Sequence, residues 1–471
     1  MKEQVFTPLN VVEKMLEIAD YNKNLFGKKV LEDSFGIGNI LIPVITRYIE
    51  NGIEEGISLS EIQYGLENDI YGAEIDTFLY EKCIERLNHL TKKYGIENVN
   101  WQLENKDSLT IDWEVKFDFI FGNPPYIKYH ELPIDKRIWL RKNYESCKLG
   151  NFDYYYAFTE NAVNSLSDKG NLVYLIPNNV FKNVYGFKLR EILNKDIDKV
   201  YFYNNELIFE NALVTSCIIN VVKNKCSPAL EYQIHNEGLK KCINKNQLGL
   251  DKWVFDENFI RDEKMKIFSD LFLASMPVAT LYNKAFILRN VEFEQNKIFY
   301  QGMELEKEIV RKAASPKSIS LNREEYIIFP YKIENKCLFR YGEVEFQDKF
   351  PNVSKHLKKF LKDLENRRVS SGVNWFEYGR TQAIKNQNKS KLLISTIVTN
   401  KVNVYYLDNE TIAYSGIYIT AIGETDLKFA EEVLTSSYFM DYIKQVGTRT
   451  TPNSIRITAK DINNFPLHEF I

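Results

Sequence analysis

The sequence predicts an α/β chain: an open, mostly parallel sheet in the first half, then a separate α+β domain. Three observations carry this. From Val30 to about Lys223, short apolar or β-branched runs alternate with longer helical patterns, the signature of strands joined by helical crossovers. The first of these runs ends in a turn with two glycines, Gly36 and Gly38, and then enters a helix. After Cys226 that rhythm is lost, and a basic helical run spans 353–368. A chain of 471 residues holds two or three domains at about 100–200 residues each. The expected division is 1–255 and 256–471, with a soft boundary between Lys223 and Arg261 because no Pro/Gly/Ser-rich linker marks it.

Taken in order, VFTPLNVVEKML puts Thr7 where an N-cap belongs and Pro8 in the first helical turn. Val11, Val12, Met15, Leu16 and Ala19 share one face. Strands are expected at 29–32, 70–75, 117–122, 171–176 and 199–203, with helices at 77–90 and 155–166 between them. The buried run LVTSCIINVV at 213–222 is expected to close the sheet.

Composition narrows the class. Hydrophobic residues make up 44% and charged residues 27%, values that disfavour disorder and fibrous repeats. Cys83, Cys147, Cys217, Cys226, Cys242 and Cys337 form no CxxC pair and sit in no His-rich tract, so neither a zinc site nor a disulfide framework is indicated. No apolar stretch approaches the length of a membrane span and MKEQVFTP has no signal core, so a cytoplasmic protein with reduced thiols is expected. Residues 1–255 carry 30 basic and 36 acidic side chains, and 256–471 carry 31 and 28. Within 351–400 the count is 10 basic to 3 acidic, a local excess suited to phosphates.

The chemistry is concentrated in the strand ends. KVLEDSFGIGNIL offers only GxG, too little for a pyrophosphate site, but enough for close backbone approach of a ligand. Glu32 or Asp33, then Glu74 in YGAEID, then Asp107 in NKDSLT, lie at successive strand ends. Three acids there suit an adenosine bearing a positive group, which favours a sulfonium cofactor over a dinucleotide. FDFIFGNPPYIKY ends a strand in Asn123, Pro124, Pro125 and Tyr126. Consecutive prolines remove two backbone donors and leave carbonyls free. The Asn123 side-chain oxygen and the Pro124 carbonyl can accept both hydrogens of an amino group, while Tyr126 stacks on the ring that carries it.

The order FTP, EDSFGIG, AEID, KDS, NPPY over about residues 5–223 resembles the γ-class DNA adenine-N6 methyltransferases, the TaqI-like and Eco57I-type restriction-modification methylases. The resemblance implies a Rossmann-like, mostly parallel seven-stranded catalytic domain, S-adenosylmethionine as cofactor, and double-stranded DNA as substrate, bound by a monomer. It implies that Thr7 contacts the cofactor carboxylate and that Glu32, Gly36 and Gly38 form the methionine end. Glu74 would hold the ribose and Asp107 with Ser108 the adenine edge, with Ile75, Pro125 and Phe158 as apolar walls. Phe209 would join Asn123, Pro124 and Tyr126 around the extruded adenine. Asp33 departs from a common proline and Ile40 from a frequent aromatic. In the second domain, resemblance to a TaqI-type specificity domain runs through IIFPYKI, the basic helix, WFEYGR and KLLIST. Lys355, Lys358, Lys359, Lys362, Arg367, Arg368 and Arg380 are the candidate DNA contacts, with 447–458 a further candidate. The motifs begin at residue 5, so any cognate restriction endonuclease is expected as a separate chain. Protein-glutamine or RNA N-methylation, and a DNA-binding specificity protein without catalysis, are the alternatives.

Overall fold

The computed structural model describes residues 7–203, 215–238, 240–248, 252–259, 265–334, 337–369, 371–380, 384, 387–451 and 453–470. The chain divides into two compact units, Met1–Ile260 and Arg261–Ile471. No helix among the described residues is long and apolar enough to cross a membrane.

In the first unit, strands β1 (Val30–Glu32), β2 (Ile70–Ala73), β3 (Gln102–Glu104), β4 (Phe117–Gly122), β5 (Leu166–Pro177), β6 (Ile197–Phe202), β7 (Ser216–Val222), β8 (Ala229–Ile234) and β9 (Lys240–Asn244) form one sheet of order 3-2-1-4-5-7-6-8-9. Strands β3, β2, β1, β4 and β5 are parallel; helices cross over from β1 to β2, β2 to β3 and β4 to β5, and a loop with one short 3-10 turn returns the chain from β3 to β4. Helices α1 (Leu9–Ile18), α2 (Leu41–Glu54), α3 (Leu59–Asp69), α4 (Thr77–Lys93), α5 (Ile134–Asn143), α6 (Tyr155–Ser165) and α7 (Phe187–Asp196) accompany them. Two apolar clusters form, one around Leu31, Ile120, Phe158 and Tyr174, the other around Val12, Leu16, Val30 and Phe121. Leu31 and Val30 alternate between them, as period-two side chains of a doubly covered sheet must.

Two sequence expectations are corrected here. The run ending at Val222 does not close the sheet. As β7 it inserts antiparallel between β5 and β6, pairing Tyr174 with Ile219 and Tyr201 with Ile218. The sheet also holds more than seven strands, since β8 pairs parallel with β6 and β9 pairs antiparallel with β8. The half-buried ALEYQI of β8 and the exposed KKCIN of β9 lack the apolar run that marks a central strand.

The second unit is α+β. One four-stranded antiparallel sheet joins Phe272–Ser275, Ile417–Ala421, Lys391–Ile394 and Tyr405–Leu407. Another joins Ile287–Arg289, Glu325–Ile328, Val310–Ala314 and Ile412–Ala413. Its core gathers Phe286, Ile327, Phe346, Phe376 and Tyr378. The basic run is two helices, Pro351–Lys358 and Leu361–Glu365. Between them the backbone tightens to three-residue bonds at Lys359 and Phe360.

Candidate active site

The parallel register sets the site. Glu32 at the end of β1 pairs with Gly72 on one side and Phe121 on the other. The residues that follow, Asp33, Glu74 and Asn123, therefore gather at the carboxyl edge of the sheet, where ligands of open α/β folds bind.

Gly36 and Gly38 take positive φ of 55° and 82°. At Gly38 an added Cβ would lie 2.6 Å from the Cys83 Sγ, so no larger residue fits that turn. Arg86 ties the turn to α4 by donating from Nη1 to the Ile37 carbonyl at 2.5 Å and to Asn39 Oδ1 at 3.0 Å. Glu74, 6% exposed, accepts from the Gly36 N–H at 2.8 Å through Oε2 and from the Asp76 N–H at 2.9 Å through Oε1. One carboxylate thus joins the β1 turn to the β2 turn and keeps further lone pairs on each oxygen.

Glu32 and Asp33 are each 2% exposed. Burial, then the neighbouring Asp33, pushes the Glu32 carboxyl well above the usual range. Burial pushes Asp33 up to about 7, opposed by the hydrogen bond that its Oδ2 accepts from the Tyr174 hydroxyl.

Asp107 lies after β3, where Oδ1 accepts from the Leu109 N–H at 3.1 Å. Its Oδ2 is taken by Lys136 Nζ at 2.6 Å, and that ammonium sits 4.5 Å from the Trp139 ring and 5.6 Å from the Tyr154 ring. Tyr154 also meets Phe158 edge to face at 5.2 Å. Phe158 is buried, whereas Ile75 is 69% exposed. Lys136 and Tyr174 escaped sequence reading, because a lysine in a charged helix and a tyrosine in a strand carry no local signal of a carboxylate partner.

At the end of β4 the Asn123 Nδ2 donates to Thr7 Oγ1 at 3.2 Å. This corrects the capping expectation: Pro8 is the N-cap of α1, and Thr7 caps nothing with its side chain. With its NH₂ engaged, Asn123 keeps a buried Oδ1 without a partner among the described residues. The Tyr126 hydroxyl donates to the Leu175 carbonyl at 2.8 Å, and its ring meets Tyr155 edge to face at 5.9 Å. Pro124 is buried and Pro125 half-buried beside it. Phe209 lies outside the described residues.

The fit to a nucleoside cofactor with an amino-acid tail rests on unsatisfied groups. Glu32 Oε2, Asp33 Oδ1, Ser108 Oγ and Asn123 Oδ1 are all buried without partners among the described residues. Buried polar atoms are rarely left so, and four at or after the carboxyl ends of β1, β3 and β4 mark a site suited to a polar ligand.

In the second unit Lys355, Lys358, Lys359, Lys362, Arg368 and Arg380 are exposed. Arg367 is not of that set. Its guanidinium donates to the carbonyls of Leu364, Thr280, Glu377 and Trp375 at 2.6–3.0 Å, so it staples loops rather than facing solvent. Arg449 and Arg456 are exposed on the hairpin of Thr448–Thr451 and Ser454–Arg456.

The sheet order with an inserted antiparallel strand, and the Gly36–Gly38 turn at its carboxyl edge, are those of the S-adenosylmethionine-dependent methyltransferase fold. Residues 24–209 match the model of the Eco57I restriction-modification methylase family. Over 99% of the chain it is 24% identical to the Type II methyltransferase M.BstVI of Geobacillus stearothermophilus, covering 90% of that protein. It is 25% identical over 69% of its length to the Type II restriction enzyme and methyltransferase RM.Eco57I of Escherichia coli, of which it spans 37%. Among solved structures, the Type IIL restriction-modification enzyme MmeI in complex with DNA shares the fold, with a TM-score of 0.59 and 16% identity. That likeness covers 97% of this chain and 66% of MmeI.

Proposed function

We propose that the protein is a site-specific DNA adenine-N6 methyltransferase, the modification component of a restriction-modification system, acting on an adenine turned out of duplex DNA. The observation that carries this is the Asn123 amide, whose NH₂ is held by Thr7 and whose buried Oδ1 is left free to accept. An exocyclic amine entering beside it donates one hydrogen to Asn123 Oδ1 and the other to the Pro124 carbonyl. Accepting both draws the nitrogen away from planarity and localises its lone pair, so no strong base is needed. Tyr126, pinned through its hydroxyl, offers its ring for stacking, and stacking offsets the few kcal/mol, roughly, that unstacking a base costs.

S-adenosylmethionine supplies a methyl group on a positively charged sulfur. Glu74 is suited to the ribose hydroxyls and Asp107 with Ser108 to the adenine edge. Thr7, Glu32, Gly36 and Gly38 suit the methionine end, and Ile75, Pro125 and Phe158 the apolar walls. The family-model match and the MmeI likeness support DNA as the substrate; the exposed Lys355, Lys358, Lys359, Lys362, Arg368 and Arg380 are suited to its phosphates.

The test is expression in a bacterial host free of DNA methylation, followed by single-molecule sequencing of its genome. N6-methyladenine at one position of one short motif is the expected result. Unmodified DNA from a host containing soluble, cofactor-binding protein would transfer the assignment to an RNA or protein amide substrate.

A further inference from the structure

The pair Glu32 and Asp33 is an electrostatic anomaly that the reaction outlined above does not use in full. Both carboxyls are 2% exposed and adjacent in sequence, and no described Lys, Arg or His side chain forms an ion pair with either. Glu32 accepts one backbone hydrogen bond, from the Leu41 N–H, and Asp33 accepts the Tyr174 hydroxyl on Oδ2 and has its own backbone N–H beside the carboxylate. That leaves Glu32 Oε2 and Asp33 Oδ1 buried and unpaired. Buried carboxylate oxygens of this kind are stable only if the site takes up a cation or a proton.

Register fixes where the free Asp33 oxygen lies. Because Glu32 pairs with Phe121, Asp33 falls opposite Gly122, one residue before Asn123. A Cβ built on Gly122 would stand 3.1 Å from Asp33 Oδ1 and 2.8 Å from the Tyr174 ring. The glycine at 122 leaves room for this carboxylate beside the end of β4. The next residue, Ser34, reaches the Asn123 carbonyl with its hydroxyl at 3.5 Å.

We propose that Asp33, held by Tyr174, is a binding residue for the α-ammonium of the cofactor's amino-acid end. This rests on the assignment of S-adenosylmethionine as cofactor. The ligand offers two cations, but an orphaned acceptor needs a donor. An ammonium brings three N–H groups and a sulfonium none. The groups that face Asp33 or act on it are Glu32 beside it, Tyr174 from β5, Tyr144 after α5 and, through Glu32, Glu74 after β2 and Cys83 from α4. All are neutral or acidic, so nothing described competes for the role of cation. Burial already pushes Asp33 up to about 7, so an arriving ammonium displaces a proton in the lower part of the working range.

The experiment is calorimetric titration of the full chain with S-adenosylhomocysteine and with its analogue bearing hydrogen in place of the α-amino group, at pH 6, 7 and 8. Wild type is expected to prefer S-adenosylhomocysteine by about ten-fold or more at pH 8, the worth of a charged hydrogen bond. The preference is expected to shrink towards pH 6, and Asp33→Asn is expected to bring the two ligands within about two-fold of each other. Equal binding of both ligands by wild type overturns the assignment without recourse to any variant, as does a preference that survives Asp33→Asn. Failure of S-adenosylhomocysteine to bind wild type at all overturns the cofactor assignment and this one with it.

Discussion

The amide of Asn123 is oriented by Thr7, which lies 116 positions earlier in the chain and accepts from Nδ2 at 3.2 Å. The contact decides which end of the amide faces the open side of the site. In the proposed reaction, loss of the side chain removes one of two acceptors for the target amine while leaving the residues proposed for the cofactor in place. Asn123→Ala is expected to lower methyl transfer by at least about 10²-fold, the scale of losing one aligned hydrogen-bonding group at a reacting centre. Binding of S-adenosylhomocysteine should stay within a few-fold, and single-turnover assays beside calorimetry will separate the two effects.

Glu74 joins two turns, so its removal acts twice. Glu74→Ala loses the acceptor suited to the ribose and frees the Gly36 N–H from its carboxylate. Cofactor affinity is expected to fall by about 1–3 kcal/mol. Unchanged affinity in an equilibrium titration would contradict the ribose role.

Lys136 holds the Asp107 oxygen that the adenine amino group is expected to use. The pair is partly exposed, with side-chain exposures of 23% and 19%, so screening limits its strength. Lys136→Met should tighten S-adenosylhomocysteine binding by about three- to ten-fold, corresponding to roughly 1 kcal/mol. Weaker binding in that variant would mean that the ammonium stays and serves the bound nucleoside.

The basic residues of the second unit divide into two kinds. Replacing Lys355, Lys358, Lys359 and Lys362 by Glu should weaken DNA binding and flatten its dependence on salt. Arg367→Ala should instead lower stability by about 2–4 kcal/mol, since four carbonyls lose a shared cationic donor. Filter binding across a salt series and thermal unfolding read the two outcomes independently.

Asp33 also makes the unliganded protein sensitive to pH. Its carboxyl titrates near 3.8 when free and at about 7 when folded. Between those values the folded state binds the extra proton, so stability falls as pH rises from about 4 to 7. Asp33→Asn removes that dependence and should raise the melting temperature of the ligand-free protein more at pH 8 than at pH 5. An equal shift at both would deny the buried charge.

Much of this was legible in the sequence, and the failures have physical causes. Strand β4 was read at its observed bounds, because six apolar or half-buried residues end in a double proline. The acids at the strand ends were found because strand ends recur with the crossover period. The place of β7 was not legible, since an apolar run states that a strand is buried but not between which neighbours. Thr7 was read as a cap because Ser and Thr before Pro usually serve so; its partner on β4 is a tertiary fact. Arg367 and Arg368 are adjacent and alike in composition, and only the loop carbonyls around the first separate them.

The position of β7 has a bearing on synthesis. Strand β5 is twelve residues long and nearly all apolar at its end, and its second neighbour arrives only with Ser216–Val222, after α7 and β6 have been made. At about 5–20 residues per second the ribosome takes on the order of a few seconds to cover that interval. During it the nascent sheet presents an unpaired hydrophobic edge. The chain is therefore most vulnerable to aggregation while half-made, so slower translation through that stretch, or too little chaperone, should lower the yield of soluble enzyme without altering the finished fold.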